Sequence, residues 1–337
     1  MLLERSTLGL VEVTEGMGGI QTQYAPAGYI GLWSRMRDFD RPMLTRALED
    51  RRVIQATMMR ATIHMVSAGD YWPMTAGIRR IRREWFEKVS HRQLAGVDME
   101  AVVAAVREEL ADGPLQMRLL TARIEARGFP ARSAGWAGMR VDLVRVPPSG
   151  TWERRRADRY AVAASWLPPD REVDEREGME WLIRRYLGAF GPAPMRDIAD
   201  WMGVAIAQMR PVAESMDLVA LRDEAGKPLV DLPGRVLPDP DVEAPARFLA
   251  VWDAALLVHA RRTQILPEAL RPRIFNTKTP HSVNTFLLDG QVAGSWRFEA
   301  GEIRLEPLRR LTKPERVGLE DEAHRLAAFH ADEHPRD

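Results

Sequence analysis

The 337-residue chain has no cysteine, which excludes disulfides, iron–sulfur clusters and thiolate zinc sites. Lysine is nearly missing too. Only Lys88, Lys227, Lys278 and Lys313 occur, so 44 of the 48 cations are arginine. None of the four lies in an apolar stretch, which leaves Schiff-base chemistry without support. No apolar run is long enough to cross a bilayer, and the opening MLLERSTLGLVEV lacks the charged-then-apolar layout of a leader. A cytoplasmic protein without a membrane partner is therefore expected. There is no phosphate-cradling loop and no serine elbow, and GMGGIQ lacks the strand that a dinucleotide fingerprint requires. The seven histidines have no metal-ligand spacing, so neither a metal nor a cofactor is expected. His324, His330 and His334 fall in a polar C-terminal helix and read as solvated.

What is present is arginine, unevenly spread. The formal net charge is zero, which argues against a wholly basic, nonspecific binder, yet IRRIRREW (78–85) and TWERRRADRY (151–160) supply local positive faces. Arginine forks onto phosphates and stacks on bases better than lysine does. A GC-rich genome and plain solvated helix faces would also give such runs.

A repeat organises the chain. Residues 113–124 read GPLQMRLLTARI and residues 191–202 read GPAPMRDIADWM. Each follows an amphipathic helix, DMEAVVAAVREELAD or REGMEWLIRRYLGAF, and Gly-Pro is expected to end one helix and start the next. Strand, turn and strand then follow, at LVALRD-EAGK-PLVDL in one copy and GMRVDLVRVPPSGTWERRRADRYAVA in the other. An earlier stretch, 40–71, shows the same succession less clearly. The reading is an α+β protein of three tandem winged-helix modules at 1–80, 81–170 and 171–240. Residues 241–337 add short strands broken at Asp289-Gly290 and Ala300-Gly301, expected to form a small β-barrel and a closing helix. Trp296 reads as barrel core rather than as a stacking platform.

Gln21 and Gln23, in GIQTQYAP, are the one unusual polar pair. Residues two apart diverge on a helix but share a face on extended chain, and Gly18, Gly19 and Pro26 predict that a helix has ended there. Two carboxamides facing one cavity would hold a water by several hydrogen bonds.

At these residues the sequence resembles the AlkZ-like (YcaQ-related) family of winged-helix DNA glycosylases. The likeness rests on GIQTQYAPAGYIGLWSRM, LEDRRVIQATMMRATIHMVSAGDY, PARFLAVWDAALLVHARR and FLLDGQVAGSWRF…EPLRRL. It implies three winged helices and a barrel around a concave DNA channel, with a glutamine–aliphatic–glutamine motif falling on Gln21 and Gln23. Thr22 stands where that motif has an aliphatic residue, and its side chain is expected to point away. Arg261 stands where an acid is expected and Gln264 where an arginine is.

The implied reaction is monofunctional hydrolysis of cationic N7-alkylated purines from double-stranded DNA, with bulky adducts or crosslinks as further substrates. The setting would be repair or self-resistance to a genotoxin, by a nucleoid-associated monomer. Arg60, Thr62 and His64 alternate along RATIH and are expected to share one strand face, lining the site or touching phosphates. Arg154, Arg155, Arg156 and Arg262 are expected to hold the DNA backbone. The alternatives are a non-enzymatic winged-helix DNA binder or transcription regulator, and a protein-binding scaffold.

Overall fold

A computed structural model describes residues 1–168, 172–239, 241–257, 263–276 and 281–331. Arg261, Arg262 and His334 lie outside the described residues.

The N-terminal third begins with α1 (Leu10–Gly16), β1 (Ile20–Gln21), α2 (Pro26–Arg35) and α3 (Arg41–Glu49). Strands β2 (Val53–Thr57) and β3 (Ile63–Ser67) follow, and then a 27-residue helix, α4 (Ala68–Leu94). Gly18 and Gly19 take left-handed φ values of 67° and 84° between α1 and β1, a turn that non-glycine residues adopt only with strain. A Cβ on Gly19 would also stand 2.8 Å from Val66 Cγ1. Pro26 occupies the first turn of α2, where its missing N–H costs nothing. Asp40 caps α3 through Met43 N at 2.8 Å, and Ser67 caps α4 through Asp70 N at 3.0 Å.

The middle of the chain folds as α5 (Met99–Glu109), β4 (Leu115–Gln116), α6 (Met117–Ala126) and α7 (Ser133–Ala137). A long loop joins β5 (Leu143–Arg145) to β6 (Arg159–Val162), and a short α8 (Ala163–Trp166) closes the segment. Next come α9 (Glu175–Phe190), α10 (Met195–Met202), α11 (Ile206–Glu214) and a hairpin of β7 (Val219–Arg222) and β8 (Pro228–Asp231). The two repeat copies each start a helix at methionine, Met117 or Met195. Pro114 and Pro192 lie in the connecting turn instead of the first helical turn, because each is followed by an extended N-cap residue.

Side-by-side modules would leave strand edges bare. Instead β2 pairs with β5, matching Gln55 with Arg145 and Ala56 with Val144. The result is one antiparallel six-stranded sheet in the order β1-β3-β2-β5-β6-β4. Pairing satisfies backbone groups that an exposed edge would leave open. Helix α9 crosses α4 at Gly77 and Gly178, where a Cβ on Gly178 would stand 2.4 Å from Gly77 N. Only two glycines allow so close a helix crossing.

The remainder comprises β9 (Arg247–Leu249), α12 (Ala254–Leu257), α13 (Arg271–Ile274), the pair β10 (Phe275–Asn276) and β11 (His281–Ser282), then β12 (Thr285–Leu288), β13 (Gln291–Glu299), β14 (Glu302–Pro307) and α14 (Lys313–Ala331). The expected barrel is not closed. Among the described residues the main sheet has four strands, in the order β14-β13-β12-β9, and its two ends do not pair. Four strands are too few to curl round a filled interior, and α14 covers one face instead. Its Leu319, Ala323, Leu326 and Phe329 join Phe248, Phe286 and Trp296 in a core shared with α2 and α3. Trp296 is buried there, and its indole N–H donates to Leu249 O at 3.1 Å. His330, expected in solvent, is instead half-buried and stacks on Phe298 with ring centres 4.4 Å apart.

Candidate active site

The glutamine segment is the edge of the six-stranded sheet. Ile20 pairs with Met65 and Gln21 with His64, and Thr22 N donates to Ile63 O at 2.8 Å. The chain is thus extended at Gln21 and leaves the sheet after Thr22, so that Gln23 lies in the bend before α2. Thr22 turns inward and is 1% exposed. Its Cγ2 lies 2.9 Å from where a Cβ on Gly28 would stand, so the small residue in α2 makes room for it.

Both carboxamides lean on the same turn, residues 59–63. Gln21 Oε1 accepts from Arg60 Nη2 at 2.9 Å, and Gln23 Oε1 accepts from Ile63 N at 3.2 Å. A carbonyl oxygen has two lone pairs, so each keeps one for a water or a sugar. These bonds also fix which end of each amide is oxygen. Among the described residues no protein group accepts from either amide nitrogen, and no carboxylate bonds to Gln21, Gln23 or Arg60.

Arg60 is where the sequence reading needs correction. Alternation predicts that Arg60, Thr62 and His64 share a strand face, but β3 begins only at Ile63. Residues 59–61 form a short 3-10 turn in which Arg60 (φ 54°) and Ala61 (φ 55°) are both left-handed. Such conformations cost about 1–2 kcal/mol for each non-glycine residue. The turn is held from the far side by α10, whose closing Gly203 leaves only 2.9 Å between a would-be Cβ and Arg60 N. Arg60 Nη1 donates to Trp201 O, so its guanidinium bridges two neutral carbonyl groups. Burial alone pushes its pKa down to about 10, which leaves it charged at neutral pH.

Thr62 donates to Met59 O at 3.1 Å and thereby stiffens the turn. His64 is buried opposite Gln21, its Nδ1 3.1 Å from Thr62 O. A carbonyl only accepts, so Nδ1 carries the proton. Desolvation first, and Arg60 second, push the imidazole pKa from 6.5 down to about 3. His64 is therefore neutral at pH 7 and no acid. The same shift sets a stability limb. Protonation favours the unfolded chain, so the contribution of His64 is complete above pH 6.5 and is lost as pH falls towards 3. By pH 5 the loss is about 2 kcal/mol. Urea midpoints measured from pH 7 to 5 should decline in the wild type and decline less in His64→Gln; parallel curves would refute this assignment.

The arginine loop between β5 and β6 reaches the same place from the other side. Trp152 anchors it, packed edge-on against Tyr29 at 5.6 Å and Phe329 at 5.5 Å. Ser149 Oγ ties its ends together, donating to Arg156 O and accepting from Asp158 N at 2.7 Å. Arg154, Arg155 and Arg156 are exposed on its tip. Together with Arg159 and Gln116 they line a groove of about 520 Å³ beside the start of α6. Arg155 Nη1 donates to Tyr24 Oη at 2.8 Å, which joins this groove to the residue after Gln23. Tyr24 was not singled out in the sequence, although it directly follows the glutamine pair. Tyr24 is 42% exposed.

A family profile described as DNA glycosylase AlkZ-like matches residues 14–329. No curated protein matches the chain. Among solved structures, the Streptomyces sahachiroi DNA glycosylase AlkZ superposes with a TM-score of 0.81, covering 97% of this chain and 93% of that one at 18% identity. At that identity the superposition speaks for the fold, and the profile speaks for descent. The chain belongs to the AlkZ-like family of DNA glycosylases.

Proposed function

We propose that the protein hydrolyses the N-glycosidic bond of cationic N7-alkylated purines in double-stranded DNA, using Gln21 and Gln23 and leaving the strand uncut. The observation that carries this reading is a pair of neutral carboxamides, each with one free lone pair, beside a neutral His64 and without a bonded carboxylate. Among the described residues such a site has no bonded acid to protonate a leaving group. An N7-alkylated purine needs none, because it already carries the charge and departs neutral. The transition state gathers positive charge on the sugar, as in other glycoside hydrolyses. Two fixed carbonyl dipoles can stabilise that charge and hold the attacking water. Arg60 adds a bias. A guanidinium at the base edge disfavours charge on the purine and so favours its migration to the sugar.

We read the three helical units with their hairpins as winged helices, with borders near residues 80, 170 and 240, around a DNA channel. Arg154, Arg155 and Arg156 hold phosphates in this reading, acting on position more than on sequence.

Incubation with duplex containing 7-methylguanine tests the proposal. The expected result is release of 7-methylguanine with strand breaks appearing only after alkali, and no release from unmodified duplex. A panel of bulkier and crosslinked N7 adducts sets the range of substrates. Salt-sensitive binding without release of any base would favour the non-enzymatic DNA-binding reading.

A further inference from the structure

A second cavity, of about 240 Å³, opens on the other side of Arg60. Three segments meet there. Helix α4 contributes Ile78, Ile81, Arg82 and Trp85, which recur at the spacing of a single helical face. The strained turn contributes Met58, Arg60 and Ala61, and the end of α10 contributes Met202, Gly203 and Val204. None of these segments adds a carboxylate.

The walls specify the occupant. Trp85 is 51% exposed although its neighbours on this face, Ile78 and Ile81, are buried, so a large aromatic surface is left half wet at the mouth. Two guanidiniums border the same space. Arg60 bridges Gln21 and Trp201. Arg82 is 8% exposed, donates to Thr57 O and forms an ion pair with Asp142 at 3.5 Å, while its buried Nε has no partner among the described residues. Guanidiniums repel a cationic ligand, and the aliphatic and thioether walls desolvate an anion without enough donors to replace its water. A flat aromatic ring satisfies both, offering a face to the indole and to the cations. The size agrees, since an apolar cavity of about 150 Å³ already holds benzene.

We propose that this cavity binds a planar aromatic substituent carried on N7 of the lesion, so that the enzyme prefers aromatic adducts to methyl ones. This rests on the glycosylase reading above for its substrate, and on contiguity for its geometry. One side chain, Arg60, forms the cavity wall and touches Gln21, so an appendage on the purine beside the amides reaches the cavity past that single side chain. Holding the appendage also holds the base edge next to the Arg60 charge, where the electrostatic bias acts.

The test has two arms, each with wild type, Trp85→Ala and Trp85→Phe. In the first, saturation-transfer NMR measures binding of the free bases 7-benzylguanine and 7-methylguanine. The benzyl base should bind about tenfold more tightly to wild type, the scale of one added aromatic contact in an apolar site. Trp85→Ala should erase the preference and Trp85→Phe should keep most of it. In the second, the ratio of kcat/KM for the two adducts in duplex should follow the same order. Equal binding of the two bases by wild type, or a preference that survives Trp85→Ala, overturns the cavity assignment. If neither base is released from duplex but the binding preference behaves as stated, the glycosylase reading fails while the aromatic site stands.

Discussion

Protein carrying Gln21→Ala together with Gln23→Ala should release 7-methylguanine about 10³-fold more slowly than wild type, the scale on which removal of fixed dipoles slows related reactions. Each amide contributes one lone pair to the space beside the turn at 59–63, so on the proposed mechanism removing both leaves the attacking water unheld and the sugar charge unanswered. The single changes should not add up to the double, because residues that hold one water act as a unit. They also separate folding from chemistry. Gln23 is exposed, and its loss removes one bond to Ile63 N. Gln21 is buried, and its loss leaves Arg60 without one of its two acceptors, which should cost about 1–3 kcal/mol of stability. Gln23→Ala should thus lose activity at nearly unchanged urea midpoint, whereas Gln21→Ala loses both. If the exposed arginines hold the DNA as proposed, its affinity and salt dependence should largely persist in the double variant. Base release at the wild-type rate would remove the glutamines from the mechanism.

How far the sequence reached depends on the range of the interaction concerned. Features set by neighbours in the chain were readable. Gly18 and Gly19 signal the turn out of α1 and Pro26 signals the start of α2, and both stand in the structure; the extended chain expected from the spacing of Gln21 and Gln23 holds at Gln21 and gives way to a bend at Gln23. The repeat was readable for the same reason, since each Met-Arg begins a helix. Features that need a distant partner were not. Alternation in RATIH looks like strand until Gly203, some 140 residues on, presses against Arg60 and fixes a left-handed turn. The pairing of β2 with β5 is likewise invisible, because each strand alone reads as an ordinary edge. The helix that takes the place of barrel closure reads only as an amphipathic tail. The link from Arg155 to Tyr24 spans 131 positions, so Tyr24 drew no notice despite adjoining the glutamines.

Asp253→Ala should be the most damaging single change to folding away from the amides, costing about 3–5 kcal/mol. Arg35, in the last turn of α2, forks onto Asp253 with Nη1–Oδ2 at 3.0 Å and Nη2–Oδ1 at 2.8 Å. Both side chains are almost wholly removed from solvent, at 6% and 3% exposure. Asp253 Oδ1 also accepts from Ala255 N at 2.9 Å, so the carboxylate is a junction between α2 and the start of α12. Truncating it leaves the mostly buried guanidinium with only Gly31 O, at 3.2 Å, as an acceptor among the described residues. A buried pair is costly to break but need not be a net gain. Arg35→Met combined with Asp253→Leu should recover much of the loss, because the desolvation cost of both charges disappears with them. Urea unfolding of wild type, the two single variants and the double completes the cycle. Helix α2 follows Gln23 within three residues, so loosening its far end should lower activity only in proportion to the folded fraction, with KM unchanged. A loss below about 1 kcal/mol in Asp253→Ala would place this pair among ordinary surface ion pairs and would leave α2 held by its apolar packing alone.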